Sequence, residues 1–288
     1  MLSRIFAGLL MSLLALKVVA QDQNLNDVPI VWAVPAMIEG PPAAGQRVRA
    51  VTSGWEKTQV QHATYLPTNW VREKKWPVIV EYPGNGGYAN QRGDQCDGSV
   101  TSCMLGYGIS GGTDFIWVSL PFVSKDGTNE TKWWGDIEQT KRYCRETVLE
   151  VCERLGGDSS RVVLSGFSRG AIACSYVGLH DESMAKLWCG LLCHSHVEGE
   201  FRHPAPDYFA WPDRMQRLGK KPMFVSHELS VLAIQSAFQR AKIGGNITFA
   251  PLPYANHSAR WALCDVPLRH QAREWLLRVT ENAETTAP

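Results

Sequence analysis

The segment Gly166-Phe167-Ser168-Arg169-Gly170 carries the clearest chemical pattern in the chain. It sits directly after the apolar run Arg161-Val162-Val163-Leu164 and just before Ala171-Ile172-Ala173-Cys174. A serine at such a strand-to-helix turn must reverse the backbone sharply, which lifts its hydroxyl above the edge of a sheet. The flanking glycines lack a Cβ, so neighbouring chain can pass close to the turn. A helix that starts there favours negative charge developing beside it. The chemistry this predicts is nucleophilic attack by Ser168, and a serine hydroxyl needs an adjacent base to do it. Two other constellations stand out. His194-x-His196, with His227 as a possible third member, has the spacing of side chains that share one strand face, which admits a metal reading. Serine chemistry needs no metal, and hydrogen-bonding or substrate-contacting histidines are the expected role, so neither a metal nor a cofactor is expected. Trp133-Trp134 reads equally as a stacking surface for a sugar or aryl ring and as a hydrophobic staple at the entry to a long helix.

Apolar runs at 77–81, 115–120, 161–164, 187–193, 223–226 and 247–249 read as buried strands, and 46–51 and 58–65 as earlier, partly exposed ones. Between them lie helical patterns. Ile137, Cys144, Val148, Val151, Cys152 and Leu155 share one face of a long helix that Gly156-Gly157 ends. A second helix opens at 171 and a third spans 231–241. The closing helix carries Leu268, Ala272, Leu276 and Val279 on one face, with Asp265 as its expected N-cap. Buried strands alternating with helices predict an α/β fold: a mostly parallel central sheet with helices on both faces. In such sheets ligands bind at the carboxyl ends of the strands.

With the elbow in this setting, the chain resembles the α/β-hydrolase superfamily over roughly residues 47–279, and within it secreted esterases and prolyl-oligopeptidase-type hydrolases most. The resemblance implies the base. His257, in Pro253-Tyr254-Ala255-Asn256-His257-Ser258, stands past the last strand and before the closing helix, where the superfamily carries its histidine. It also implies an acid between Ser168 and His257. Glu228, in Ser226-His227-Glu228-Leu229-Ser230, follows the fifth buried run. The superfamily usually has an Asp there in a Gly-containing loop, and this chain departs from that pattern. A Glu can still orient the imidazole and stabilise its cation. Glu198, after the fourth run, is the alternative acid; Asp207 and Asp213 are outsiders. The oxyanion hole is expected from the N–H of Arg169 and that of Asn85, with Gly86 next in line, in the loop Gly84-Asn85-Gly86-Gly87. Pro83 stands there in place of the family's His.

Composition sets the bounds. The chain has 288 residues, a formal net charge of +1, 44% hydrophobic and 20% charged residues. That is the make-up of a folded globular protein. It lacks the basic excess of a nucleic-acid binder and the charged, apolar-poor character of a disordered one. Arg4, the apolar run at 5–16, and Val18-Val19-Ala20 before polar Gln21 read as a signal peptide over 1–20. The run is short for a bilayer span and Lys17 interrupts it, so no stable membrane anchor is expected after cleavage. Residues 21–288 are expected to form a single domain in the periplasm or outside the cell. All eight cysteines lie there. Cys96 and Cys103 are the pair easiest to bridge; their short loop would contribute about 2.5 kcal/mol on closure. Cys144 and Cys152 are about 12 Å apart along a helix, too far to bond, and read as buried apolar side chains. No Cys-x-x-Cys spacing supports a zinc site. The expected activity is hydrolysis of a small-molecule or carbohydrate-linked carboxylic ester through an acyl-enzyme. The alternatives are a serine peptidase of the prolyl-oligopeptidase type, against which the chain has no room for a propeller domain, and a non-catalytic carbohydrate- or partner-binding protein on a hydrolase scaffold.

Overall fold

The computed structural model describes residues 23–200 and 202–286. The expected signal peptide at 1–20 lies outside the described residues. The described residues contain a nine-stranded sheet built from β1 (Met37–Ile38), β2 (Arg47–Ala50), β3 (His62–Tyr65), β4 (Trp76–Tyr82), β5 (Ile116–Ser119), β6 (Gly157–Phe167), β7 (Gly190–His194), β8 (Met223–Glu228) and β9 (Ile247–Leu252). Its spatial order is β1-β2-β3-β5-β4-β6-β7-β8-β9. Every neighbouring pair is parallel except the two that β3 makes, with β2 and with β5. The α-helices among the described residues are α1 (Leu105–Ser110), α2 (Ile137–Arg154), α3 (Arg169–Tyr176), α4 (Glu182–Ala185), α5 (Trp211–Gln216), α6 (Leu232–Arg240) and α7 (Pro267–Thr286).

Alternation along the central strands splits the interior into two cores, one on each face of the sheet. Val78, Val80, Tyr82, Val162, Leu164, Leu191 and Val225 join Tyr143, Cys144, Val148 and Val151 of α2, with α3 and α6 on the same side. Ile79, Trp117, Val163, Leu192 and Phe224 join Leu105 and Ile109 of α1 and Leu268, Ala272, Trp275, Leu276 and Val279 of α7. Covered on both faces, β4 and β7 are buried at every residue. Glu81 of β4 is a buried carboxylate among them. Its carboxylate accepts from the N–H groups of Met104, Leu105 and Gly106 and from Trp117 Nε1, which ties the start of α1 to the sheet.

Several expectations shift. Strand β6 begins at Gly157, not at residue 161, because Gly157 pairs with Trp76 across an irregularity before Val162. The closing helix starts with Pro267, so Asp265 stands outside the cap position; its carboxylate accepts from Arg269 and His270 instead. All eight cysteines are free thiols, the Cys96/Cys103 pair included. Cys144 and Cys152 are buried as expected; Cys174 and Cys193 are buried as well, and Cys189 is partly exposed. No helix among the described residues is long and apolar enough to cross a membrane.

Candidate active site

The turn at Ser168 has the strained form that its position requires. Ser168 has φ 54° and ψ −116°, a region costly for a residue with a side chain. Its glycine neighbours explain why the chain can still pack. A Cβ on Gly166 would lie 2.1 Å from Gly170 O, and one on Gly170 would lie 2.0 Å from Tyr82 O. The turn is pinned by Ser168 N–H donating to His194 O at 2.9 Å.

The structure brings Ser168, His257 and Glu228 together at the carboxyl ends of β6, β9 and β8. Ser168 Oγ lies 3.0 Å from His257 Nε2, and His257 Nδ1 lies 2.9 Å from Glu228 Oε1. Glu228 is the last residue of β8, and Leu229 after it has φ 60°, so the chain turns away as the carboxylate enters the site. Burial opposes charge on Glu228, but the His257 hydrogen bond and the nearness of the His194, His257 and His227 rings hold its carboxyl well below the usual carboxylate range. An ionised Glu228 places the imidazole proton on Nδ1 and leaves Nε2 to accept from the serine hydroxyl.

Glu198 is not part of this arrangement. It is fully buried, with Arg214 Nη2 at 2.7 Å and Nε at 3.0 Å, and His203 Nε2 at 3.1 Å. Both of its oxygens accept from the buried Arg214 guanidinium. Asp207 caps the same guanidinium at 2.7 Å.

Of the expected oxyanion donors, Gly86 is committed elsewhere: its N–H donates to Thr131 O at 2.8 Å. A Cβ there would also lie 2.6 Å from Asp97 O, so the glycine serves packing. Asn85 lines the cleft, and its side-chain oxygen accepts from Trp133 N at 2.7 Å, which holds the loop in place. Arg169 N–H, in the first residue of α3, has no intrahelical acceptor. The Arg169 guanidinium is buried and donates to Trp133 O at 2.8 Å and Gly98 O at 3.2 Å, which fastens two walls of the site. Burial pulls it down to about 9.

These groups surround a cleft of ≈ 220 Å³ lined by Asn85, Tyr88, Trp133, Phe167, His196 and His257. A larger hollow of ≈ 580 Å³, lined by Lys221, Asn246 and Arg278, lies at the opposite ends of β8 and β9, away from Ser168 and His257. The tryptophan pair divides. Trp134 is buried against Phe122, Tyr176 and His203, whereas Trp133 walls the cleft. Neither belongs to α2, whose N-cap is Asp136, accepting from Gln139 N.

The histidine pair also divides. His194 ends β7 and is buried, with Nδ1 2.9 Å from Ser226 Oγ and Nε2 3.1 Å from Ser258 O. Burial pulls it down to about 4, so the ring is neutral at pH 7. Ser195 then turns the chain with φ 80°, and His196 faces another way, its ring centroid 5.1 Å from that of His257.

Two residues of the site had no sequence signal. Ser195 Oγ donates a short hydrogen bond to Glu228 Oε1. Asp94, 163 positions from His257, accepts from His257 N at 3.0 Å and from Asn256 Nδ2 at 2.8 Å. Asn256 Oδ1 in turn accepts from Leu25 N at 2.7 Å, so the histidine loop is held from two distant segments.

No protein-family model and no curated protein sequence matches this chain. Solved structures do. Thermogutta terrifontis esterase 2, solved phosphorylated by paraoxon, superposes with a TM-score of 0.58 at 14% identity, covering 87% of this chain and 99% of that one. A Rhizomucor miehei esterase superposes with a TM-score of 0.58 at 13% identity, covering 94% and 92%. The isopeptidase AtxE2 gives 0.54 at 12% identity over 82% of this chain. The chain spans 40% of that isopeptidase and 62% of a thermostable esterase. This chain has the α/β-hydrolase fold, a framework shared by esterases and peptidases.

Proposed function

We propose that this protein is a serine hydrolase that cleaves carboxylic esters through an acyl-enzyme. The observation that carries the reading is the continuous line from Ser168 Oγ through His257 to Glu228, with contacts of 3.0 and 2.9 Å. His257 Nε2 takes the Ser168 proton as Oγ attacks the ester carbonyl. The tetrahedral oxyanion is met by the N–H groups of Asn85 and Arg169, each such donor typically lowering a barrier by about 2.7–4 kcal/mol. The imidazolium, stabilised by Glu228, returns its proton to the departing alcohol, and the acyl group stays on Oγ. Water then attacks the acyl carbon as His257 takes its proton; the acyl–Oγ bond breaks, His257 returns the proton to Ser168 Oγ, and the acid leaves.

The cleft favours a small acyl group: its ≈ 220 Å³ is below the roughly 300–1,000 Å³ of pockets that enclose drug-sized ligands. Trp133 offers an apolar ring to an aryl or sugar alcohol. The similarity to an isopeptidase keeps amide cleavage as the second reading. Turnover of p-nitrophenyl acetate and of a proline amide by the wild-type chain and by Ser168→Ala separates the two. Ester turnover lost in the variant, with no amide turnover in either, supports the esterase. Amide turnover at comparable rate supports the peptidase, and no turnover of either defeats both. The run at 5–16 supports export. An exported chain whose first residue is Gln21 bears this out, and an intact N-terminus contradicts it.

A further inference from the structure

We propose that His196, Glu200 and His227 form a site for a divalent transition-metal ion of the zinc type at the rim of the cleft. One donor atom from each of the three lies within 4.8 Å of the others. The Glu200 carboxylate stands between the imidazoles: Oε2 is 3.0 Å from His196 Nδ1, and Oε1 is 3.1 Å from His227 Nε2. A tetrahedral ion with ligands at about 2.0–2.2 Å would draw these atoms to roughly 3.4 Å from one another. The move belongs to side chains that are 14–24% exposed, so an ion also has a path in.

The surroundings of His227 point to an ion more directly. Its Nδ1 faces Glu228, 3.0 Å from the main-chain oxygen and 3.2 Å from Oε2. That contact orients the ring, and an ion displacing the Nε2 proton would leave the other proton on Nδ1, the second-sphere arrangement that metal-ligating histidines adopt. It leaves Nε2 as the ligand atom. Nε2 is buried and makes no aligned hydrogen bond, although Glu200 Oε1 is near. A cation between the two would satisfy both. Two imidazoles and one carboxylate suit zinc or a similar ion rather than calcium or magnesium, which prefer oxygen donors.

The loop is shaped for the purpose. Gly199, with φ 88°, turns Glu200 back towards His196, and a Cβ at Gly199 would lie 2.4 Å from the Trp211 ring. The three residues differ from the set suggested by sequence spacing. Glu200 replaces His194, whose two nitrogens are occupied by Ser226 and Ser258.

Cobalt(II) added to the chelator-treated full chain tests the site, because its spectrum reports the ligands. The expected result is one equivalent bound with the intense d–d bands of a low-coordinate nitrogen and oxygen site and no thiolate charge-transfer band. Glu200→Gln and His196→Asn should each weaken binding roughly a hundredfold or more while circular dichroism shows them folded; if one fails to fold, the other carries the test. No saturable uptake by the wild-type chain, a thiolate band, or uptake unchanged in the folded variants overturns the proposal. The readout needs no turnover, so it stands or falls separately from the serine chemistry.

Discussion

Ser168 combines two demands in one residue: a backbone that L-residues avoid and a hydroxyl that must point at His257. Strain of this kind typically costs about 1–3 kcal/mol. Ser168→Gly should therefore be more stable than Ser168→Ala, by about 1 kcal/mol in urea unfolding, because glycine accepts the positive φ and part of the gain is lost to its greater freedom when unfolded. Equal stability would mean that the turn is relaxed. The carboxylates give a sharper contrast. Glu228→Gln removes the charge that orients His257 and should reduce turnover by about 10⁴-fold with little effect on folding. Glu198→Gln should do the reverse. It leaves Asp207 as the remaining carboxylate on the buried Arg214 guanidinium, at a cost of about 1–3 kcal/mol in stability, while the folded fraction keeps its rate. Rates and urea midpoints of the two variants check both halves. Ser168 was legible because it follows directly from a buried strand, and His257 and Glu228 because the resemblance to the α/β-hydrolases implies a base past the last strand and an acid after the fifth buried run. Glu198 met the same test of position. What excluded it was Arg214, sixteen residues away, and no local pattern announces that partner.

At the scale of elements, the site depends on loops whose anchors lie far off in sequence. Asp94 follows the short hairpin strand Tyr88–Ala89 and holds the His257 backbone. Asp94→Ala should lower kcat by about 10–100-fold with a smaller change in KM, since it frees the loop that aims the imidazole without touching the substrate. A change confined to KM, or none, would leave Asp94 a purely structural group. Two-residue strands carry no periodicity, so neither this hairpin nor the anchor beside it was legible. The longer elements were readable because their apolar faces repeat. The face read from Ile137, Cys144, Val148, Val151 and Cys152 is the one α2 turns to the core, and the Leu268, Ala272, Leu276 and Val279 face is the one α7 buries. The boundaries were less readable: β6 gained four residues from pairing with Trp76, and α7 took Pro267 as its first residue, which proline suits because it lacks the N–H that a first turn leaves unpaired.

The whole molecule carries a pH dependence that the site alone does not set. His62 of β3 is buried, with Nδ1 2.8 Å from the Tyr143 hydroxyl, and burial pulls its pKa from 6.5 down to about 3. The unfolded chain therefore takes up this proton first as the pH falls. The stability tied to the neutral ring is whole above about pH 6.5 and is lost on acidification towards about pH 3. His62→Leu, which cannot take up that proton, should flatten the fall of the urea midpoint across this window. An unchanged pH profile would assign the acid sensitivity to other groups. The near-neutral composition and the two-sided core are properties of the entire chain, and both could be read from the sequence because each sums over many residues. Single polar contacts could not, because each depends on where two remote segments meet.

The central claim is that Ser168 is the residue that attacks. Incubating the chain with a fluorophosphonate and mapping the adduct by peptide mass spectrometry tests it most directly. The arrangement with His257 and Glu228 predicts one phosphonyl group per chain, on the peptide containing Ser168, absent from Ser168→Ala and slowed by several orders of magnitude in Glu228→Gln. An adduct on another residue, one that persists in Ser168→Ala, or no adduct on the folded wild-type chain would contradict it.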